Sequence, residues 1–81
     1  MQVTVKLFAT LTRYGQGGRA GAPVVIELPE DATLQHLIDE LKIPSEETRI
    51  IFVNGIIQET DYRLKDGDEV GMFPPIGGGG W

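Results

Sequence analysis

The last residues of the sequence, PPIGGGGW, are the ones whose types and spacing could serve a chemical reaction. Glycine loses more conformational entropy on ordering than any other residue, so we expect residues 76–81 to form a flexible tail. Four extended residues reach about 13–14 Å, and without Cβ atoms they would fit a narrow tunnel. Such a thread could present a terminal carboxylate to a partner enzyme. The alternative is an unfolded tail that has no role.

Other kinds of chemistry are excluded or disfavoured by residue type. The chain has no cysteine, which excludes disulfides, thiolate zinc sites and cysteine nucleophiles. Its single histidine, His36, is predicted to lie on the polar face of a helix, so we expect a solvated side chain and no metal site. The stretch GQGG before Arg19 is not followed by a helix, which a phosphate cradle needs, and a plain loop is expected there.

Length and charge narrow the class of protein. A chain of 81 residues forms one domain with a small core, which favours a carrier or binding module over an enzyme. The net charge of −5 disfavours nucleic acid as a partner and favours docking onto a basic surface of a larger protein. Neither a basic leader nor a long apolar run follows Met1, so the sequence predicts no signal peptide, no membrane segment and a cytoplasmic location.

Two strands are predicted before the helix. Alternation in VTVKLFA predicts a first strand that leaves an apolar residue, Phe8, on its outer face and buries Val3, Val5 and Leu7. VVIEL predicts a second strand at residues 24–28. The glycine-rich stretch between them, TRYGQGGRAGAP, predicts a long mobile hairpin loop.

One helix is predicted in PEDATLQHLIDELKIP. Thr33 is the expected N-cap, Lys42 lies near the C-terminal end, and Pro44 stops the helix. The apolar residues recur with the spacing of a single helix face, which consists of Leu34, Leu37, Ile38 and Leu41.

The second half of the chain predicts a hairpin and a final strand. Asn54-Gly55 between apolar runs predicts a tight type I′ turn. Asp66-Gly67-Asp68 predicts another turn, followed by a strand at residues 69–73 that Pro74-Pro75 ends. The order is strand, strand, helix, strand, short strand, strand. It predicts one helix packed across a mixed sheet in which the first and last strands are parallel neighbours.

The chain resembles the MoaD/ThiS family of ubiquitin-like sulfur carriers, and is more similar to its MoaD branch, the small subunits of molybdopterin synthase. The resemblance rests on VKLFATL, TLQHLIDEL and, most specifically, DGDEV followed by two prolines and a diglycine. It implies an α+β protein with a β-grasp domain at residues 1–75, in which one main helix packs across a mixed sheet of four to five strands, and a flexible tail at residues 76–81.

The resemblance also implies a carrier cycle, in which the chain is not an enzyme and binds no cofactor tightly. An E1-like adenylating enzyme would use ATP and magnesium to activate the C-terminal glycine. A sulfur source would convert the adenylate to a thiocarboxylate, for use in molybdopterin or tungstopterin synthesis. The tail would then enter the large subunit of a molybdopterin synthase, or another sulfur acceptor. Docking would use an exposed apolar patch, whose matching positions are Phe8, Ile57 and Phe73; alternatively, these are ordinary core or scattered surface residues.

The family pattern assigns the working end of the tail to Gly79, the residue that would be adenylated. Gly77 and Gly78 would then lie inside the partner. Gly80-Trp81 would be removed first, by a peptidase for which the JAMM type is the candidate, because an indole beside the reacting carbon would obstruct close approach. Removal of Trp81 alone, which leaves Gly80 terminal, is the alternative cut.

Two other functions stay open. The same tail could be conjugated to lysines of target proteins, as in a ubiquitin-like modifier. The chain could instead be an interaction module that is never activated.

Overall fold

The computed structural model describes residues 1–14, 21–48 and 50–74. The sheet has the strand order β2-β1-β5-β3-β4, with β1 and β5 parallel at its centre and the other pairs antiparallel. Among the described residues, no helix is long and apolar enough to cross a membrane. The elements in chain order are β1 (Gln2–Leu7), a 3-10 helix (Ala9–Tyr14), β2 (Pro23–Glu27), α1 (Leu34–Glu40), a 3-10 helix (Ser45–Glu47), β3 (Ile50–Val53), β4 (Ile56–Ile57) and β5 (Glu69–Phe73).

The core lies between one face of this sheet and the apolar face of α1. Alternation along β1 and β5 points every second side chain toward α1, as the sequence predicts. Burial of each such side chain stabilises the fold by about 1.5–3 kcal/mol. The innermost residues, each at most 1% exposed, are Val3, Val5, Leu11, Leu34, Leu37, Ile38, Val70 and Met72. The predicted element order and the parallel pairing of the first and last strands are therefore confirmed.

The two ends of α1 are set by different local interactions. At the N-terminus the Thr33 hydroxyl accepts a hydrogen bond from the His36 N–H at 3.2 Å, which confirms Thr33 as the N-cap. At the C-terminus Lys42 adopts a left-handed φ of 59°. The N–H of Lys42 donates to the carbonyl of Asp39, and that of Ile43 donates to the carbonyl of Ile38. This is a Schellman motif, and it ends the helix before the chain reaches Pro44, the residue predicted to stop it.

Two sequence-based predictions need correction, one in the segment after β1 and one at the end of α1. Residues 12–14, the start of the predicted loop, belong instead to the 3-10 helix at Ala9–Tyr14. Leu11, just before the predicted loop, holds this helix in place, because it is fully buried in the core and its N–H donates to the Phe8 carbonyl at 3.1 Å. Residues 15–20 of the predicted loop lie outside the described residues. The helix stripe is also shorter than predicted, since Leu41 caps α1 and is only partly buried.

Hydrogen bonds connect the β3–β4 turn to the start of β5. Asn54 and Gly55 have φ values of 52° and 84°, as a type I′ turn requires. The side-chain NH2 group of Asn54 donates to the carboxylate of Asp68 at 3.0 Å. The side-chain oxygen of Asn54 accepts from the backbone N–H of Glu69 at 3.0 Å. The Asp68 carboxylate also accepts from the Lys65 N–H at 2.8 Å. These bonds set the position of β5, the strand that leads to the tail.

Candidate functional site

The sheet face opposite α1 carries the candidate docking surface. Strand register places Lys6, Gly71 and Phe52 in one row across β1, β5 and β3. In the adjacent row, Phe73 lies beside Phe8, whose N–H donates to the carbonyl of Met72 at 3.2 Å. The central strands of the fold therefore bring three phenylalanines from distant parts of the sequence to one place.

The ring of Phe73 contacts both of the other rings. The rings of Phe8 and Phe73 stack with centroids 4.5 Å apart and planes inclined by 3°. Phe52 meets Phe73 edge to face, with centroids 5.7 Å apart and an interplanar angle of 82°. With Gly71 they line a shallow depression of about 230 Å³, which we call the aromatic groove. All three phenylalanines are only partly buried, so the groove presents aromatic surface to a partner.

Of the two glycines beside the Phe8 ring, only Gly21 leaves space that a side chain would need. A Cβ atom on Gly71 would lie 3.7 Å from Phe8 Cε2, in ordinary van der Waals contact, so that position would accept a methyl group. Gly21 has a left-handed φ of 72°, and a Cβ there would lie 3.2 Å from Phe8 Cε1. The Gly21 N–H donates to the Leu7 carbonyl at 2.9 Å. Sequence reasoning missed this role of Gly21.

A pair of opposite charges lies at the edge of the aromatic groove. Lys6 Nζ lies 3.8 Å from Glu69 Oε1, and both side chains are substantially exposed. Because solvent screens such a pair, it contributes less than about 1 kcal/mol to stability. An aromatic centre with a polar rim is the composition of a protein–protein interface.

The sequence predicted Phe8, Ile57 and Phe73 for the patch; the first and last of these stack on each other, and Ile57 lies on the same sheet face opposite Phe52. Ile57 is 63% exposed on β4. It pairs in register with Phe52 but lines a different depression, with Thr48 and Ile51. Phe52, which the sequence analysis did not single out, is the residue that contacts Phe73. Its alternation with Ile51 and Val53 would have placed it on the outer face.

The remaining predicted site residues belong to the tail. Gly77, Gly78, Gly79, Gly80 and Trp81 lie outside the described residues, and their roles stay predictions. The described chain continues through Pro74, directly after Phe73, so a partner bound at the aromatic groove would lie next to the origin of the tail. Among the described residues, no group of three or more His, Asp or Glu side chains could hold a metal ion. His36 is half-exposed, with Nε2 3.8 Å from a Glu40 oxygen.

The parallel central strands, the crossing helix and the C-terminal exit from β5 define a β-grasp, ubiquitin-like protein. The model of the ThiS family matches residues 5–79, and the chain belongs to this family. Its members are small carrier proteins. No curated protein matches the chain.

Solved structures agree with this assignment. The putative molybdopterin converting factor subunit 1 of Pyrococcus furiosus is 36% identical, with a TM-score of 0.71 over 94% of this chain and 99% of that one. SAMP1 of Haloferax volcanii is 26% identical, with a TM-score of 0.71 over 98% and 100% of the two chains. A chain from the complex of subunits 1 and 2 of molybdopterin-converting factor of Helicobacter pylori is 22% identical, with a TM-score of 0.62 over 98% and 100%, and shows the shared fold.

Proposed function

We propose that this protein is a sulfur carrier that delivers sulfur from a C-terminal thiocarboxylate during synthesis of a molybdopterin or tungstopterin cofactor. The observation that carries the proposal is the family match over residues 5–79, which includes the glycine tail. The 36% identity to a putative molybdopterin converting factor subunit 1 favours this pathway over the others that use similar carriers. The cycle is proposed to run in the cytoplasm.

The chemistry of the cycle needs only the terminal carboxylate from this chain. An E1-like enzyme with ATP and magnesium would activate it: a carboxylate oxygen attacks the α-phosphorus, and pyrophosphate leaves. A persulfide-bearing sulfurtransferase and a thiol reductant would then replace AMP with sulfur at the oxidation level of sulfide. The resulting thiocarboxylate is an anionic nucleophile at neutral pH. The partners supply every catalytic group, so the chain itself is proposed to be non-catalytic.

The aromatic groove is proposed to dock both the activating enzyme and the large subunit that accepts sulfur. Partly exposed aromatic side chains are frequent energetic centres of protein interfaces, because a partner can desolvate them fully at little cost in side-chain entropy. The H. pylori relative is described in a complex of two subunits, which agrees with a large-subunit partner. Docking beside Phe73 would direct the following residues toward the partner's active site.

Gly79 is proposed as the working terminus, and the family match ends at this residue. Gly77 and Gly78 would occupy the partner's tunnel. Removal of Gly80-Trp81 by a peptidase, with the JAMM type as the candidate, would precede activation. A cut that leaves Gly80 is the alternative.

Reconstitution with an E1-like enzyme, ATP, magnesium and a sulfurtransferase tests this proposal, with intact mass as the measurement. The chain that ends at Gly79 should gain the mass of one oxygen exchanged for sulfur, whereas the chain that ends at Trp81 should remain unchanged. A chain that ends at Gly78 is the matched control and should react poorly. Failure of every form to yield an adenylate would contradict sulfur carriage and favour an interaction module. Addition of the large subunit and the pterin precursor then tests the acceptor.

A second function is favoured by the similarity to SAMP1, which a second structure describes as small archaeal modifier protein 1. In this function, activated Gly79 would form an isopeptide bond with a lysine of a target protein. Mass spectrometry of digested cell extracts would detect glycine-linked lysines that depend on this chain. Their absence, together with a thiocarboxylate on the recovered protein, would leave sulfur carriage alone.

A further inference from the structure

The outer edge of β2 is free among the described strands. The strand stands at the end of the sheet order and pairs only with β1. Beyond the strand ends, Met1 and Leu28 exchange backbone hydrogen bonds of 2.8 Å in both directions. Because such pairs alternate along antiparallel strands, Val24 and Ile26 direct their backbone groups toward β1, whereas Val25 and Glu27 direct theirs outward.

A second groove runs along this edge, between β2 and the C-terminal end of α1. Its volume is about 360 Å³, and we call it the edge groove. On its apolar side it is lined by Val24, Ile26, Leu41 and Tyr14, all only partly buried. By contrast, the residues of β1 that face the core, Val3, Val5 and Leu7, are at most 3% exposed. The core is therefore less completely covered at β2 than at the centre of the sheet.

We propose that the edge groove and the outer edge of β2 bind an extended segment of a partner protein as a sixth strand. Such a strand would accept hydrogen bonds from the outward N–H groups of Val25 and Glu27 and donate to their carbonyls. Alternate side chains would enter the edge groove and cover Val24 and Ile26. The intervening side chains would lie beside Val25, which is 59% exposed.

The charge near the edge groove indicates a basic partner. Of the described side chains that line it, two are acidic, Glu27 and Glu40, and one is basic, Lys42; the chain carries a net charge of −5. A second copy of this chain is a poorer occupant, because its β2 sequence, PVVIE, offers no basic residue and the like net charges repel. We therefore commit to an extended segment with valine-like side chains on the groove side and lysine or arginine beside Glu27.

A synthetic peptide tests this proposal directly. The probe is a capped seven-residue peptide that alternates lysine and valine, titrated into the isotope-labelled full chain and followed by amide NMR. Binding should shift the resonances of residues 23–27 and 40–42 and slow hydrogen exchange at Val25 and Glu27. The same peptide with an N-methyl group on every residue has no N–H to donate to the carbonyls of Val25 and Glu27 and should bind at least about tenfold more weakly. Equal binding of the methylated peptide would overturn strand addition.

Charge reversal provides the matched variants. Glu27→Lys should weaken binding of the lysine–valine peptide about two- to fivefold, as expected for a solvent-exposed ion pair. Asp61→Lys makes the same change in net charge at an exposed site away from the edge groove and should leave affinity unchanged. The proposal would be overturned by any of three results. These are an equal loss of peptide affinity in both variants, resonance shifts confined to the aromatic groove, and resonance shifts at β2 that depend on protein concentration in the absence of peptide. The last of these would instead indicate pairing between copies of the chain.

Discussion

The ring of Phe8 lies flat against the ring of Phe73, with centroids 4.5 Å apart, although the two residues stand near opposite ends of the chain. Parallel pairing of β1 and β5 brings them together, because it aligns Leu7 with Met72 and leaves the next residues side by side. The stack therefore depends on the central strand pair of the β-grasp fold. It also joins the candidate docking surface to the strand from which the tail departs.

The aromatic groove can be tested by placing charge in it. Phe8→Asp and Phe73→Asp should each weaken binding to the acceptor subunit by more than about 1 kcal/mol, or about fivefold in Kd, because a carboxylate would be desolvated in the contact. Isothermal titration calorimetry would measure this, after circular dichroism has established that the variants are folded. Ile56→Asp is the control, since Ile56 is 63% exposed and lines neither the aromatic groove nor the edge groove. Unchanged affinity in both phenylalanine variants would remove the groove from the interface.

The contact between Gly21 and Phe8 gives a stability prediction. Gly21→Ala and Gly55→Ala should both lose about 1–2 kcal/mol of unfolding free energy, because both sites have a left-handed φ. Gly21→Ala should lose about 1 kcal/mol more, since its Cβ would lie 3.2 Å from Phe8 Cε1 while nothing lies within 4 Å at Gly55. Urea unfolding of the two variants measures the difference. Equal losses would mean that the Phe8 ring moves aside without cost.

The end of α1 offers a stabilising substitution. Lys42 is a non-glycine residue in the left-handed C′ position, where glycine carries no Cβ penalty. Lys42→Gly should raise the unfolding free energy by about 0.5–1 kcal/mol. Lys42→Ala removes the same charge but keeps the Cβ atom, and should bring no such gain. A gain of equal size in the alanine variant would attribute the effect to charge rather than to backbone conformation.

The bonds between the β3–β4 turn and β5 predict a cost for removing Asp68. This carboxylate is 7% exposed and accepts from the Asn54 amide and the Lys65 N–H. Asp68→Ala should lower the unfolding free energy by about 1–3 kcal/mol, because two partly buried hydrogen bonds lose their acceptor.

Asp66→Ala is the matched control for this change. The Asp66 carboxylate accepts from the Gln2 N–H at 2.7 Å, but at an exposed site where water can replace it. The loss there should be below about 1 kcal/mol. Guanidinium unfolding would compare the two variants, and a loss at Asp66 as large as that at Asp68 would contradict the role of burial.

The sequence by itself determined the features that depend on local physics. Alternation in VTVKLFA and EVGMF set which side chains face the core, and the spacing of Leu34, Leu37 and Ile38 set the buried face of α1. The pair Asn54-Gly55 was sufficient to predict the type I′ turn, because few pairs of residues tolerate two successive positive φ angles. The glycine tail and the DGDEV pattern were sufficient to indicate the family.

Only the tertiary structure decided which distant residues meet. Phe52 rather than Ile57 contacts Phe73, since strand register, which couples separated segments, sets neighbours across a sheet. Burial of Leu11 holds in place a 3-10 helix that includes residues 12–14, the start of the stretch predicted to be mobile. The left-handed Lys42 ended α1 before the proline that the sequence indicated. In each case the deciding term is a long-range contact or a backbone conformation that residue type and local periodicity do not encode.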